Sequence, residues 1–197
     1  MANKTDWRKE IKSWGLILAF IAFLYFTGLI TPIMGGVQSI LLSTGLIKPK
    51  ITMVDKENLD FDYKGRFSNM AGAAIELEEY RGKTVFINLW ATWCPPCRAE
   101  MPHISELYKK VKDTENLEFL MIALDNDFQK SIKLHEDKGW SFPIVHASHG
   151  LNNSLQSNSI PTTLVINPQG KIIFYQEGMS NFDTKEFRDF LTGKEPN

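Results

Sequence analysis

Hydrophobic and polar positions alternate in blocks over most of the chain, and these blocks predict strands and helices in turn. Apolar runs rich in β-branched and aromatic residues predict buried strands. They are residues 83–91, 117–125, 142–147, 162–167 and 170–178. Runs with apolar positions three and four residues apart predict helices. They are residues 95–112, 128–138 and 184–191, with a short helix near 151–156.

The order of these elements predicts an α/β domain with a mixed β-sheet and helices on both faces. From Ile75 onward strands and helices alternate, which is typical of parallel strands joined by crossover helices. The last two strands, separated by the turn NPQG, predict a hairpin. Functional groups in such sheets lie where a parallel strand passes into a helix. Cys94 and Cys97 occupy this position, after the strand 83–91.

The N-terminal part has a different pattern, because no charged residue occurs between Lys12 and Lys48. Residues 14–30 are apolar apart from glycine and threonine, and with the residues that follow they reach the ~20 residues of a membrane-spanning helix. We therefore expect a transmembrane anchor over residues 13–34. The absence of a small-residue cleavage site favours this anchor over a cleaved signal peptide.

The charges before this apolar run predict its orientation. Basic side chains precede it at Lys4, Arg8, Lys9 and Lys12. By the positive-inside rule they keep residues 1–12 in the cytoplasm, so the rest lies on the periplasmic or other extracytoplasmic side of the inner (cytoplasmic) membrane. Residues 35–72 are interpreted as an amphipathic segment and a linker, and residues 73–197 as the globular domain.

Composition narrows the function of that domain. The chain has 197 residues, of which 43% are hydrophobic, and a net charge of -1. It can therefore fill a core, but it has no basic surface of the kind that binds nucleic acid, and we expect no nucleic-acid partner. Its two cysteines are too few for the disulfide framework of a small secreted domain.

Both cysteines lie in the motif WCPPC. If Cys94 is the N-cap of the helix that follows, Pro95 and Pro96 fill the first two helical positions, where an N–H group has no partner within the helix. Cys94 is then exposed at the positive end of the helix dipole, which favours a thiolate, and Cys97 is shielded one turn below. The first sulfur can attack a substrate disulfide as the nucleophile, and the second can resolve the mixed disulfide.

A zinc site and a structural disulfide are the other uses of such a pair. A tetrahedral zinc site needs two more ligands, and the candidates His146 and His149 follow a different strand, so we expect no metal. A structural disulfide across so short a loop gains little stability, because closure entropy falls with loop length. The pattern favours a redox-active Cys94–Cys97 disulfide that works without a separate cofactor.

Three stretches in the right order carry a resemblance to a known family. WATWCPPCRAEMP at residues 90–102, GKTVFINLW before it and IPTTLVINPQGKII after it resemble the TlpA/ResA-like branch of the thioredoxin superfamily. The resemblance extends from about Ile75 to the C-terminus. It implies a thioredoxin-like fold with an added helix between two core strands, which residues 128–138 match. It also implies a membrane-anchored, extracytoplasmic thiol–disulfide oxidoreductase.

The resemblance also implies a substrate surface. Pro161 matches a proline that follows a cis peptide bond and packs against the cysteines. This bond turns the Ile160 backbone outward, where it can pair with a substrate strand. Trp93 and Pro95 flank Cys94 on the same surface, and Trp90 is expected there too. The alternative for the tryptophans is a place in the core, which is more common for a tryptophan beside a buried strand.

Two further positions bear on proton transfer. Glu100 lies three residues after Cys97, on the same side of the helix. The resemblance implies that such an acid lines the active-site cavity and handles the proton of the buried thiol, whereas the alternative is a solvated surface carboxylate. Asn88 stands where thioredoxins carry a buried acid, but an amide cannot accept that proton, so the role passes to Glu100 or to water. The cluster at residues 125–127 is interpreted as a strand-to-helix cap.

The residues between the cysteines bear on the direction of the reaction. Pro95 and Pro96 offer no N–H groups to a Cys94 thiolate, so we expect its pKa to be only modestly lowered and the pair to act as a reductant. A reductase outside the cytoplasm needs electrons from inside, and the resemblance implies a transmembrane thiol-reducing donor.

Protein disulfides are the expected substrates, and the substrates of the resembling family include the cysteines of apocytochrome c, which points to cytochrome c maturation. Two alternatives remain open at this point. One is a peroxide-reducing redoxin, against which the close cysteine pair argues. The other is a redox-inert thioredoxin-like module that binds peptides beside Pro161.

Overall fold

The computed structural model describes residues 7–27, 42, 47–49 and 59–194. The N-terminal helix α1 (Trp7–Phe26) coincides with the first part of the predicted anchor, and residues 28–34 lie outside the described residues. Most of the predicted amphipathic segment lies outside them as well. Among the residues that the structure describes, no helix has both the length and the apolar content to cross a membrane.

The remaining elements follow the predicted order from residue 83 onward. The strands are β1 (Arg66–Asn69), β2 (Ala74–Glu76), β3 (Thr84–Trp90), β4 (Leu117–Ala123), β5 (Ile144–His146), β6 (Thr162–Ile166) and β7 (Ile172–Glu177). The helices are α2 (Pro95–Val111), α3 (Phe128–Lys138) and α4 (Lys185–Leu191), with 3-10 helices at Leu77–Tyr80 and Asn153–Leu155. The inserted helix α3 ends as expected at Gly139, whose φ of 62° is left-handed and suits glycine.

The strands form one mixed sheet in the order β2-β1-β5-β4-β3-β6-β7. β3, β4 and β5 are parallel, whereas β6 runs antiparallel to β3 and β7 antiparallel to β6. The carboxyl ends of β3 and β4 therefore lie at the same edge as the start of β6. This edge brings the cysteine pair next to the Ile160–Pro161 segment.

Residues 59–72, which were predicted as part of a linker, belong to the domain. β1 pairs with β5, and β2 pairs with β1. Phe61, Tyr63 and Phe67 are buried in the core. Strands of three or four residues show too little alternation to be recognised from the sequence. β1 is held by β5, which lies about 80 residues further along the chain, and β2 is held by β1.

Apolar clusters cover the two faces of the sheet. Phe86 and Ile87 are neighbours on β3 and point to opposite faces. The cluster around Phe86 includes residues of α2 and α4, and side chains of α3 pack against it. The cluster around Ile87 includes Phe67 and the 3-10 helix residues Leu77 and Leu155. Helices therefore flank the sheet on both sides, with the long helices together on one face.

Candidate active site

The two cysteines lie at the first turn of α2 and are joined by a disulfide, with their Cα atoms 5.3 Å apart. Cys94 is the N-cap, and Pro95 and Pro96 follow it as the first residues of the helix. The backbone N–H of Cys97 donates to Cys94 Sγ at 3.2 Å. The predicted arrangement of the motif on the helix is therefore the one that the structure shows.

The exposure of Cys94 differs from the prediction. Cys94 is 4% exposed and Cys97 0%, so both sulfurs are sheltered. Cys94 Sγ lies 3.7 Å from the carbonyl oxygen of Ile160, across the edge of the sheet. The sequence predicted that Cys94 would be exposed at the N-terminus of the helix, but the segment just before β6 covers it.

The segment before β6 and the two tryptophans complete the surroundings of the pair. The Ile160–Pro161 peptide bond is cis, the geometry that the resemblance implied. Trp93 is 64% exposed, immediately before Cys94. Trp90 is buried and packs edge-to-face against Trp140, so it belongs to the core and its expected place on the active-site surface is wrong.

Glu100 lies one turn after Cys97 on α2 and is completely buried. Its Oε1 accepts a hydrogen bond from Asn88 Nδ2 at 2.8 Å, and its Oε2 accepts one from the backbone N–H of Ser180 at 3.1 Å. The second hydrogen of the Asn88 amide goes to Thr163 Oγ1 at 2.9 Å. The interpretation of Glu100 as a solvated surface group is therefore wrong.

Burial raises the pKa of Glu100 from 4.5 to about 8. The hydrogen bonds from Asn88 and Ser180 favour the charged form and oppose this shift, but the loss of hydration outweighs them. A carboxyl group with a pKa near neutrality can both accept and release a proton at physiological pH. Asn88, which cannot take up a proton itself, instead orients the group that can.

Sequence reasoning missed the contribution of the segment after β7. The N–H of Gly178 donates to the carbonyl oxygen of Pro161 at 2.8 Å, and the next residue but one, Ser180, binds Glu100. Asn181 donates through its backbone and side chain to the carbonyl oxygens of Ile47 and Leu42. A backbone donor has no signature in the sequence, so nothing in the residue pattern indicated this role.

The acidic cluster after β4 contains two different residues. Asp127 caps α3, since its side chain accepts from the N–H of Gln129 at 3.1 Å, as the cap interpretation predicted. Asp125 instead accepts hydrogen bonds from Thr92 in the loop before Cys94. One sequence feature could have indicated this contact. Asp125 follows the carboxyl end of β4, which lies beside β3, the strand that leads to the cysteines.

No metal-binding cluster is present in the part of the chain that the structure describes. No group of three or more histidine, cysteine, aspartate and glutamate residues there is placed to hold a metal ion. His146 Nε2 lies 2.8 Å from the carbonyl oxygen of Asp125, and its ring stacks on Phe128. The described side chains thus provide thiol and carboxyl chemistry at this edge of the sheet.

Comparison with known proteins agrees with this chemistry. Residues 54–175 match the AhpC/TSA family. The thiol-disulfide oxidoreductase ResA of Halalkalibacterium halodurans is 36% identical over 127 residues, which are 62% of this chain and 70% of that protein. ResA of Oceanobacillus iheyensis is 26% identical over 93% of this chain and 92% of its own length.

Solved structures share the fold. StoA from Bacillus subtilis superposes with a TM-score of 0.53 at 24% identity and covers 62% of this chain and 93% of its own. A thioredoxin-family thiol:disulfide interchange protein from Chlorobium tepidum has a TM-score of 0.58 at 22% identity and covers 71% of this chain and 100% of its own. The fold is thus thioredoxin-like, and the sequence relatives carry the activity. The chain belongs to the AhpC/TSA family and is, like its ResA relatives, a thiol–disulfide oxidoreductase.

Proposed function

We propose that this protein reduces disulfide bonds of extracytoplasmic proteins through Cys94 and Cys97. The proposed direction of electron flow, from the cysteine pair to the substrate, rests on the backbone donors at Cys94. Pro95 and Pro96 occupy the first helical positions and have no N–H, so the N–H of Cys97 is the one amide of this turn that donates to the Cys94 sulfur. A thiolate with few hydrogen-bond donors is only weakly stabilised. When the reduced form of a cysteine pair is weakly stabilised, the pair gives up its electrons readily and acts as a reductant.

The reaction proceeds in two displacements. The Cys94 thiolate attacks one sulfur of the substrate disulfide, forms a mixed disulfide and releases the other sulfur as a thiolate, which takes a proton from solvent. The Cys97 thiol then loses its proton and attacks Cys94 Sγ, which releases the second substrate sulfur. Two electrons pass to the substrate, and the Cys94–Cys97 disulfide remains.

Glu100 is proposed to accept the proton of Cys97 in the second displacement. Both side chains are completely buried on consecutive turns of α2, where water has little access. The hydrogen bonds from Asn88 and Ser180 hold the carboxyl group in place. With a pKa of about 8, Glu100 can take the proton during the reaction and return it when the product thiolate leaves.

The substrate is proposed to lie between Trp93 and the segment before β6. The exposed ring of Trp93 and the half-buried ring of Pro95 form one side, next to Cys94. On the other side the Ile160 carbonyl oxygen, 3.7 Å from Cys94 Sγ, can accept a hydrogen bond from an extended substrate backbone. Pro161 holds this carbonyl group beside the sulfur.

The reduction potential of the full chain in detergent tests the direction. The fraction of the Cys94–Cys97 disulfide is measured by thiol trapping in glutathione and dithiothreitol buffers. We expect a midpoint at or below about −250 mV, in the range of thioredoxin, because the thiolate is weakly stabilised. A midpoint near −120 mV, roughly that of strong oxidants, would reverse the proposed direction.

The proposed location is the outer side of the cytoplasmic membrane, with residues 13–34 as the anchor. In support, apolar side chains such as Trp14, Leu18 and Phe23 are exposed in the part of α1 that follows its charged first turns, and a helical segment that is apolar on all sides is normally covered by protein or lipid. Basic residues precede it. A reductase on that side depends on a transmembrane donor of thiol-reducing type, and apocytochrome c is one candidate among its protein substrates.

Labelling of cysteines in sealed, right-side-out membrane vesicles tests this location. We expect a membrane-impermeant maleimide to label reduced Cys94 in intact vesicles, because the domain lies outside. The matched control is an Asn3→Cys substitution in a chain that lacks both native cysteines, which we expect to react only after permeabilisation. Labelling of Cys94 that requires permeabilisation would place the domain in the cytoplasm.

A further inference from the structure

Asp125 lies directly after β4, beneath the loop that leads to Cys94, and is 3% exposed. Both of its oxygens face donors. The Thr92 N–H lies 3.0 Å from Oδ2 and 3.3 Å from Oδ1, and the Thr92 hydroxyl donates to Oδ1 at 2.6 Å. The hydroxyl of Ser131 donates to Oδ2 at 2.8 Å. In each of these contacts the carboxyl group is the acceptor.

These bonds connect the catalytic loop with the inserted helix. Thr92 is two residues before Cys94, and Ser131 lies on α3, the helix between β4 and β5. The backbone carbonyl of Asp125 also contacts His146 Nε2 at the end of β5. One buried residue thus connects the loop and the inserted helix through its side chain and β5 through its backbone carbonyl.

Asp125 also forms the wall of an open groove that begins at Trp93. One cavity of about 220 Å³ is lined by Thr92, Trp93 and Asp125 together with Lys130. A second cavity, of about 280 Å³, shares Asp125 and continues along the ends of β4 and β5. Among the described ion pairs, none includes Asp125. The described donors to its carboxyl group are those of Thr92 and Ser131.

We propose that Asp125 is a positioning residue for thiol–disulfide exchange: it holds the Thr92–Cys94 loop so that Trp93 and the Cys94 sulfur face the substrate, and its charge opposes negative charge on that sulfur. The inference rests on the exchange activity and holds in either direction of electron flow. Two effects follow, one on the geometry of the loop and one on the charge at the sulfur, and different substitutions separate them.

Asp125→Asn removes the charge and keeps most of the geometry. The amide oxygen can keep the Oδ1 contacts with the Thr92 N–H and hydroxyl, whereas the contact of that N–H with Oδ2 is lost. The new amide N–H can donate to the Ser131 hydroxyl, which is able to accept. With the charge removed, the Cys94 thiolate is favoured, so alkylation of reduced Cys94 near neutral pH is expected to be about threefold faster or more.

Asp125→Ala and Thr92→Val test the geometry. Asp125→Ala removes every acceptor of the Thr92 N–H, so hydrogen exchange at that amide is expected to rise by about tenfold or more. The rate constant for reaction with a disulfide substrate falls, chiefly through a higher KM, because Trp93 and Cys94 are no longer held together. Thr92→Val, which removes only the hydroxyl donor, gives a smaller rise in KM, and Thr92→Ser restores the wild-type value. This pair also keeps the proposal testable if Asp125→Ala does not fold.

Asp127→Asn is the matched control. Asp127 is an acidic residue of the same groove, but it is exposed and its side chain bonds only to the start of α3. In the full chain in detergent, this variant should keep the alkylation rate of Cys94 and the exchange rate of the Thr92 amide. Equal acceleration of alkylation by Asp125→Asn and Asp127→Asn would refute the specific charge effect. Unchanged amide exchange and KM in Asp125→Ala, or an unchanged KM in Thr92→Val if that variant alone folds, would refute the positioning role.

Discussion

Replacing Cys94 with serine is expected to abolish thiol–disulfide exchange, whereas replacing Cys97 with serine is expected to leave a protein that reacts once and stays bound to its substrate. Cys94 is the N-cap of α2 and lies beside the Ile160 carbonyl group, where a substrate can approach. Cys97 is completely buried beneath it and can reach only the Cys94 sulfur. Loss of the nucleophile should lower turnover by roughly a thousandfold or more.

The measurement is turnover of a protein disulfide, followed by non-reducing electrophoresis of the products. The Cys97→Ser variant should accumulate a mixed disulfide that a reductant releases, and mass spectrometry of the captured partner then identifies the substrate class. The variant that lacks both cysteines is the control and should capture nothing.

Two results would contradict this assignment. Absence of disulfide turnover in the wild type, together with peptide binding that Cys94→Ser retains, would favour a redox-inert module that binds peptides. Sustained reduction of peroxide by Cys97→Ser with an external thiol would favour a peroxide-reducing redoxin, in which a single cysteine performs the first step.

Replacing Glu100 with glutamine is expected to remove a large pH dependence of stability. The pKa of Glu100 is about 8 in the folded protein against 4.5 for a free carboxyl group, so the folded state holds more protons between these values. Raising the pH through this window therefore weakens the folded state relative to the unfolded chain. A pKa shift of this size changes the free energy of unfolding by about 5 kcal/mol at most, when the pH crosses the whole range between the two pKa values.

Urea unfolding of the oxidised protein at several values between about pH 5 and pH 9 measures this effect. The disulfide keeps both cysteines from titrating, so their ionisation does not contribute. We expect the stability of the wild type relative to Glu100→Gln to be highest at low pH and to fall as the pH rises. Glutamine mimics the protonated form, and the variant should show no Glu100-dependent loss.

Glu106→Gln is the matched control, because Glu106 is an exposed residue of the same helix that pairs with Lys109. It should leave the pH profile of stability within experimental error. A stability difference between wild type and Glu100→Gln that stays constant across this pH range would contradict a raised pKa of Glu100.

The same variant tests the proposed proton transfer from Cys97. With glutamine in place of Glu100, formation of the mixed disulfide should proceed at nearly the wild-type rate, and its resolution should slow by about tenfold or more. Stopped-flow quenching at low pH separates the two steps. Equal rates of resolution in both proteins would assign the proton to water, the alternative that sequence analysis left open.

The sequence alone was sufficient for features that depend on neighbouring residues. Runs of apolar positions predicted the long strands β3 and β4 and the helices α2 and α3, because each of these elements shows several repeats of its period. The placement of Cys94 as an N-cap followed from two prolines at positions where a helix lacks partners for its N–H groups. The resemblance to a known family implied the cis bond before Pro161.

Only the tertiary structure decided the features that depend on residues distant in sequence. β1 and β2 are too short to be recognised until β5 pairs with β1 and β1 pairs with β2. Cys94 is sheltered because Ile160, just before β6, lies against it. The protonation of Glu100 depends on burial and on donors from β3 and from Ser180, 80 residues away. Local pattern thus indicated which residues form the disulfide pair, whereas long-range packing determined the dielectric surroundings and the hydrogen bonds around it.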